Sequence, residues 1–241
     1  ARALGAGAIA CVATSAARDA ANGAEFFAAA RGAAGLTPEV VSGDEEARLV
    51  WASAWRDFGA PSGLCVLDVG GGSTEVCVGE GPAPRLRRSL QLGAVRLTER
   101  AAPPDPPGAA AVAELRRRAA EALAPGAALL ASPPRPARMV GVAGTVTTLA
   151  AVWQALPRYD SERVHGSALA LPALEALLAR LAALTTAERA RLPGMEPKRA
   201  DVIVAGCAVV VEAMRAAGFD RLTVSDRGVR WGLLHDRFGH A

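Results

Sequence analysis

The chain has 241 residues, of which 51% are hydrophobic, 21% charged and 4% aromatic, with a formal net charge of +3. That balance excludes disordered and collagen-like chains and leaves enough residues to bury a core in one large domain or two small ones. The positive excess is mild and almost wholly arginine, Lys198 being the only lysine among 27 basic residues, so it carries no argument for nucleic acid as a partner.

No segment near the start resembles a signal peptide, since the apolar beginning is short and soon meets Arg18 and Asp19. Residues 8–13 read as a strand and 16–31 as a helix; 38–41 is a short β-branched strand. Ser42 caps the next helix, whose first turn holds Asp44, Glu45 and Glu46 on the side that the helix dipole favours. Residues 59–63 form a Gly/Pro break, and the expected division is 1–60, 61–225 and a C-terminal helix at 226–241. Residues 64–69 read as a buried strand, 70–73 as a tight turn and 75–78 as the returning strand of a hairpin, with a third strand over 86–92. The proline-rich residues 102–108 lead into a helix over 109–123.

The longest uncharged stretch, 139–157, contains Gly141, Gly144, several threonines and Gln154, which suits a strand at 139–142, a loop at Gly144-Thr145 and a helix from Val146 better than a membrane span. Helices over 171–184 and 197–217, a strand at 222–224 and a helix over 228–235 complete an alternating α/β pattern. Cys11, Cys65, Cys77 and Cys207 lack CxxC spacing and read as buried free thiols of a reducing, cytoplasmic compartment.

The sharpest chemical signal is Asp68-Val-Gly-Gly-Gly-Ser-Thr-Glu75 between two strands. Three consecutive glycines, Gly70, Gly71 and Gly72, let the backbone turn its N–H groups onto one point, as a phosphate cradle requires, and Ser73 and Thr74 add hydroxyls. Carboxylates at both ends would be repelled by phosphate without a cation, so Asp68 and Glu75 imply a hard ion, most simply Mg²⁺. Gly141-Val-Ala-Gly-Thr145 is a second loop at a strand end, opening a helix whose N-terminus suits anions and placing Gly144 and Thr145 there. In Ser42-Gly-Asp-Glu-Glu-Ala-Arg48 a carboxylate at the helix start could orient water beside a bound phosphate, or simply complement the dipole. Thr14-Ser15-Ala-Ala-Arg18 offers hydroxyls and a guanidinium, a phosphate partner or a surface cap. His165 reads as a polar loop residue, and His235 and His240 as solvated. Arg227 and Arg230 belong either to a helix surface or, following Ser225-Asp226, to a cleft wall.

Seven motifs in order, 13–20, 42–49, 68–75, 92–99, 141–149, 199–203 and 225–228, resemble the exopolyphosphatase and guanosine pentaphosphate phosphohydrolase (Ppx/GppA) family. The resemblance runs over nearly the whole chain. It implies an actin-like (ribonuclease H-like) two-domain α/β fold around a phosphate-binding cleft. It also implies Mg²⁺-dependent release of terminal phosphate from inorganic polyphosphate or pppGpp, with a homodimer and neither nucleic acid nor membrane as partner. By alignment with the family, Glu46 is the catalytic base, Asp68 and Glu75 are the metal-associated carboxylates, residues 70–74 are the phosphate loop and Arg18 lies near the polyphosphate path. The family's first phosphate loop, of the Asp-x-Gly-Ser/Thr-Asn type, has no counterpart before Ala13, so the first domain is expected to be truncated. A catalytically idle polyphosphate or alarmone sensor and a kinase or ATPase of the same superfamily are the rival readings.

Overall fold

The computed structural model describes residues 1–130 and 134–239. Near the start, β1 (Val12–Ala13) leads into two short helices, α1 (Ser15–Asp19) and α2 (Gly23–Ala34), and returns to β2 (Glu39–Val40). The two strands pair in parallel, Val12 with Glu39 and Ala13 with Val40. The single helix expected over 16–31 is broken by the Ala20-Ala21-Asn22 turn, and α2 buries none of its residues. Only two residues of the strand expected over 8–13 are extended, because only two find a partner strand.

Helix α3 (Gly43–Phe58) begins as the sequence predicts, the Ser42 hydroxyl accepting from the Glu45 N–H at 3.1 Å. It covers the sheet that follows, although it lies before the break at 59–63. That sheet opens with the meander β3 (Leu64–Val69), β4 (Thr74–Gly79) and β5 (Leu86–Leu90). After α4 (Ala94–Ala101) and α5 (Gly108–Leu130), β6 (Arg138–Val142) runs parallel to β3 and passes directly into α6 (Ala143–Trp153). The chain continues through α7 (Ser161–Val164), β7 (Ala168–Ala170), α8 (Leu171–Ala182), α9 (Thr186–Arg189) and α10 (Ile203–Ala217) to β8 (Arg221–Val224) and α11 (Val229–Phe238). The six strands lie in the order β5-β4-β3-β6-β8-β7.

Period-2 alternation decides what each strand residue faces. Leu64 and Val66 of β3 and Cys77 of β4 pack with Ala47, Val50, Trp51 and Ala54 of α3. Cys65, Leu67 and Val69, with Val76 and Val78, face the larger core built from α5, α6, α8 and α10. The sheet is therefore covered on both sides, and β3 is buried throughout. On the α3 side α11 lies so close that a Cβ on Gly232 would stand 1.9 Å from the Leu49 carbonyl oxygen.

Several elements differ from expectation. Gly144 and Thr145 are the first turn of α6, not a loop before it, because β6 turns into the helix in one residue, Ala143, at φ 70°. The helix expected over 197–217 is a 3-10 turn at Pro197–Arg199 followed by α10. The helix α5 runs through Pro125, beyond its expected end at 123. Helices α7 and α9 and strand β7 are too short to show a period in sequence, whereas α4, with Ala94 and Leu97 buried one turn apart, carries a helical pattern over residues to which no element is assigned above. Cys65, Cys77 and Cys207 are buried free thiols, but Cys11 is exposed because β1 has no cover on that side. His235 is half-buried, its Nδ1 enclosed without a partner, and His240 lies outside the described residues. Among the described residues no helix is long and apolar enough to cross a membrane.

The α3–α11 contact yields a test. Gly232→Ala should lose about 1–3 kcal/mol in urea unfolding, the usual cost of overpacking. Gly81→Ala, whose Cβ meets nothing within 4 Å, should stay within about 0.5 kcal/mol of the parent.

Candidate active site

The glycine turn is shaped by the start of α4. The N–H of Ala94 donates to the Gly70 carbonyl at 2.9 Å, and those of Val95 and Arg96 donate to the Gly71 carbonyl at 3.0 and 3.1 Å. Arg96 Nε takes the Gly72 carbonyl at 2.6 Å, and its Nη2 reaches Asp19 in α1. All three glycine carbonyls are thereby occupied. Among the described residues no acceptor takes the N–H of Gly71, Gly72 or Ser73, which leaves a set of donors suited to an anion. The approach requires glycines on both sides, since a Cβ at Gly93 would stand 2.3 Å from the Gly71 oxygen.

The alternation that places Leu64, Val66 and Cys77 under α3 also places Asp68 and Glu75 on that face, as cross-strand partners at the head of the β3–β4 hairpin. Glu46, in the first turn of α3, is buried above them at 8% exposure. Arg18 Nη1 holds Glu46 Oε2 at 3.0 Å and the Val41 carbonyl at 2.7 Å. Ser89 donates to Glu75 Oε1 at 2.6 Å, and Gly43 allows α3 to settle on Ser89, where a Cβ would come within 2.6 Å.

Burial raises the Glu46 carboxyl above the usual range, against the pull of Arg18 and Thr14. Burial raises Asp68 well above it, and the charges of Glu75 and Glu46 add to the shift. Glu75 is pushed up to about 7 by burial and then by Glu46, opposed by its bonds to Ser89 and Ser73. Among the described residues no three His, Cys, Asp or Glu side chains form a ready-made metal cage. Asp68 and Glu75 nonetheless supply two hard oxygen donors, which is the protein's usual share when phosphate and water complete a Mg²⁺ shell.

The second loop adjoins the first because Asp68 of β3 is in register with Val142 of β6, so both strands end at one edge of the site. The α6 start has no side-chain cap. A cleft of about 670 Å³ opens beside it, lined by Gly144, Thr147, Tyr159, Lys198, Arg199 and Arg230. Arg199 lies against Gly144 so closely that a Cβ there would fall 2.1 Å from its guanidinium.

Glu46, Arg18, Asp68 and Glu75 are thus gathered with the Gly70–Gly72 turn, and Gly144 borders the adjoining cleft. Two hydroxyls are turned elsewhere. Thr74 donates to the Leu92 carbonyl at 2.7 Å, and the Thr145 side chain is buried against Gly206 of α10. Their contribution to an anion site is backbone geometry rather than side-chain donors. Arg227 pairs with Asp57 at 2.8 Å and fastens the 225–228 turn to α3, whereas Arg230 belongs to the cleft. Sequence reasoning missed Arg96, Lys198 and Arg199, whose roles depend on carbonyls and glycines distant in the chain.

Because burial pushes the folded Glu75 carboxyl up to about 7, above the usual carboxylate range, the folded chain binds its proton more tightly across that window. Stability from this group is present at low pH and is lost as pH rises through the window. With a chelator present, Glu75→Gln should melt above the parent at about pH 8, and the difference should shrink towards about pH 5. Differential scanning calorimetry at both pH values checks this.

The family model described as the Ppx/GppA phosphatase family matches residues 1–240. Exopolyphosphatase 2 of Mycobacterium tuberculosis is 42% identical over 233 residues, covering 92% of this chain and 72% of that protein. The guanosine-5'-triphosphate,3'-diphosphate pyrophosphatase of Aeromonas hydrophila is 28% identical over 236 residues, covering 95% of this chain and 45% of that protein. Among solved structures, the crystal structure of the Aquifex aeolicus Ppx/GppA family member aligns with a TM-score of 0.83 at 32% identity, covering all of this chain and 78% of that one. With its fold and its motifs matched from end to end, the chain belongs to the Ppx/GppA phosphatase family, whose named members are hydrolases acting on anhydride bonds.

Proposed function

We propose that the chain hydrolyses the terminal phosphoanhydride bond of inorganic polyphosphate, with guanosine pentaphosphate as a second substrate for the same chemistry. The observation that carries this reading is the free N–H set at Gly71–Ser73 on the sheet end that also presents the buried Glu46. In this scheme the terminal phosphoryl group rests on those donors, and Glu46 orients a water molecule and accepts its proton as the new P–O bond forms. The bridging P–O bond breaks, and the shortened chain leaves with its negative charge. Arg18 holds the Glu46 carboxylate in one orientation, and the burial-raised pKa makes that carboxylate a better proton acceptor.

Asp68 and Glu75 would hold Mg²⁺, which when bound neutralises phosphate charge. Lys198, Arg199 and Arg230 outnumber Glu196 and Asp226 in the adjoining cleft, a balance that suits a linear polyanion. The 42% identity to a protein named exopolyphosphatase supports polyphosphate as the first substrate to test.

Glu46→Gln should lose roughly 10²–10⁴-fold in kcat while still binding substrate. Glu45→Gln, whose carboxylate is engaged by Arg48 at 2.7 Å outside the site, should stay within a few-fold of the parent. Phosphate release from polyphosphate and from guanosine pentaphosphate is the assay, and a Glu46→Gln protein with parental turnover would remove Glu46 from the mechanism. Asp68→Asn should raise the Mg²⁺ concentration for half-maximal rate by about 10-fold or more, since loss of a ligand costs at least what loss of an outer hydrogen-bond partner does. An unchanged Mg²⁺ titration would refute that assignment.

A further inference from the structure

Among the described residues three enclosed side-chain polar atoms have no hydrogen-bond partner: Asp57 Oδ2, His235 Nδ1 and Ser15 Oγ. Asp57 is accounted for by its ion pair with Arg227 through its other oxygen. His235 lies on the outer helix α11, away from the glycine turn. Ser15 stands in the site itself. It is 5% exposed, and a Cβ built on Gly72 would lie 2.6 Å from its Oγ.

The neighbours of Ser15 are fixed by the contacts already described. Arg18 bonds Glu46, and Arg96 spans the Gly72 carbonyl and Asp19. The segment 14–19 is thus tied both to the glycine turn and to the carboxylate above the hairpin, with the Ser15 hydroxyl between the two ties. Of the other hydroxyls nearby, Ser89 donates to Glu75 and Thr74 to the Leu92 carbonyl. A buried hydroxyl without a partner disfavours the empty fold, and alanine would fit the same space without that penalty. A buried, unpartnered serine hydroxyl next to a set of free N–H donors is accounted for by a ligand oxygen that accepts from it.

We propose that Ser15 is a substrate-binding residue whose hydroxyl donates a hydrogen bond to the terminal phosphoryl group seated on the Gly71–Ser73 amides. The proposal rests on the hydrolase reading above and adds a side-chain donor to it. It also explains the need for glycine at position 72, where a side chain would occupy the space between the turn and the hydroxyl.

The test compares the parent, Ser15→Ala and Ser15→Cys with tripolyphosphate and Mg²⁺, by calorimetric binding, phosphate release and thermal melting with and without ligand. Ser15→Ala should melt at or above the parent without ligand, while its Kd for tripolyphosphate rises and its kcat falls by roughly 10–100-fold in total, the range for a hydrogen bond to a charged group. Ser15→Cys, which fills the space with a poor donor, should show the same direction of loss and serves if the alanine variant does not fold. Parental Kd and kcat in both variants would overturn the proposal, as would a lowered melting temperature with unchanged binding, the signature of a packing role. If the parent releases phosphate but the variants match it, Ser15 alone falls. If the parent neither binds nor cleaves tripolyphosphate, the hydrolase reading falls and Ser15 with it.

Discussion

Everything in this site depends on which way three peptide groups point. A Gly-Gly-Gly turn has no preferred direction of its own, and its N–H and C=O groups need partners wherever water is excluded. The start of α4 resolves that freedom. Its first N–H groups lack intrahelical acceptors, and they find the Gly70 and Gly71 carbonyls instead. With Arg96 on the Gly72 carbonyl, the donors of the same peptides face away from α4, where a phosphate can use them. One local exchange of hydrogen bonds caps a helix and orients a binding site.

The carboxylates are the electrostatic counterpart. Glu46, Asp68 and Glu75 are buried together with Arg18 in contact, and burial is the largest cause of each raised pKa. A site of this kind is costly when empty and becomes favourable when a cation and a polyanion enter, because each neutralises charge that the other leaves. Arg18 holds Glu46 from the β1–α1 side and draws its carboxyl down against the effect of burial. The small two-stranded unit is therefore attached to the main sheet through the site, by Arg18–Glu46 and Arg96–Asp19. The α11 helix reinforces the same seam, with Arg48–Asp236, Arg237–Glu39 and Arg227–Asp57 running between it, the turn before it, α3 and β2.

The sheet sets the distances. Since β3 and β6 are parallel neighbours in register at Asp68 and Val142, two loops far apart in sequence emerge side by side. The first leads to the carboxylates, the second to the cleft lined by Lys198, Arg199 and Arg230. Ala143 at φ 70° is the backbone cost of turning β6 into α6 within one residue, and strain of this kind persists where surrounding structure over-determines it.

The sequence alone was sufficient for the strands at 64–69 and 139–142, for the capped acidic helix start at Ser42 and for the glycine turn, because each is written in consecutive residues whose local physics has few alternatives. Asp68 and Glu75 stood out as the two ends of the glycine turn, whereas the family resemblance, not local spacing, singled out Glu46 from Asp44 and Glu45. Their convergence on one face followed only from pairing: Asp68 and Glu75 share a side because β3 and β4 are in register. The fate of the hydroxyls on Thr74 and Thr145, the clamp from Arg96 and the approach of Arg199 to Gly144 were decided by tertiary contacts. A side chain's partner depends on what stands across from it in space, and that is fixed by sheet register and helix packing, not by its neighbours in the chain.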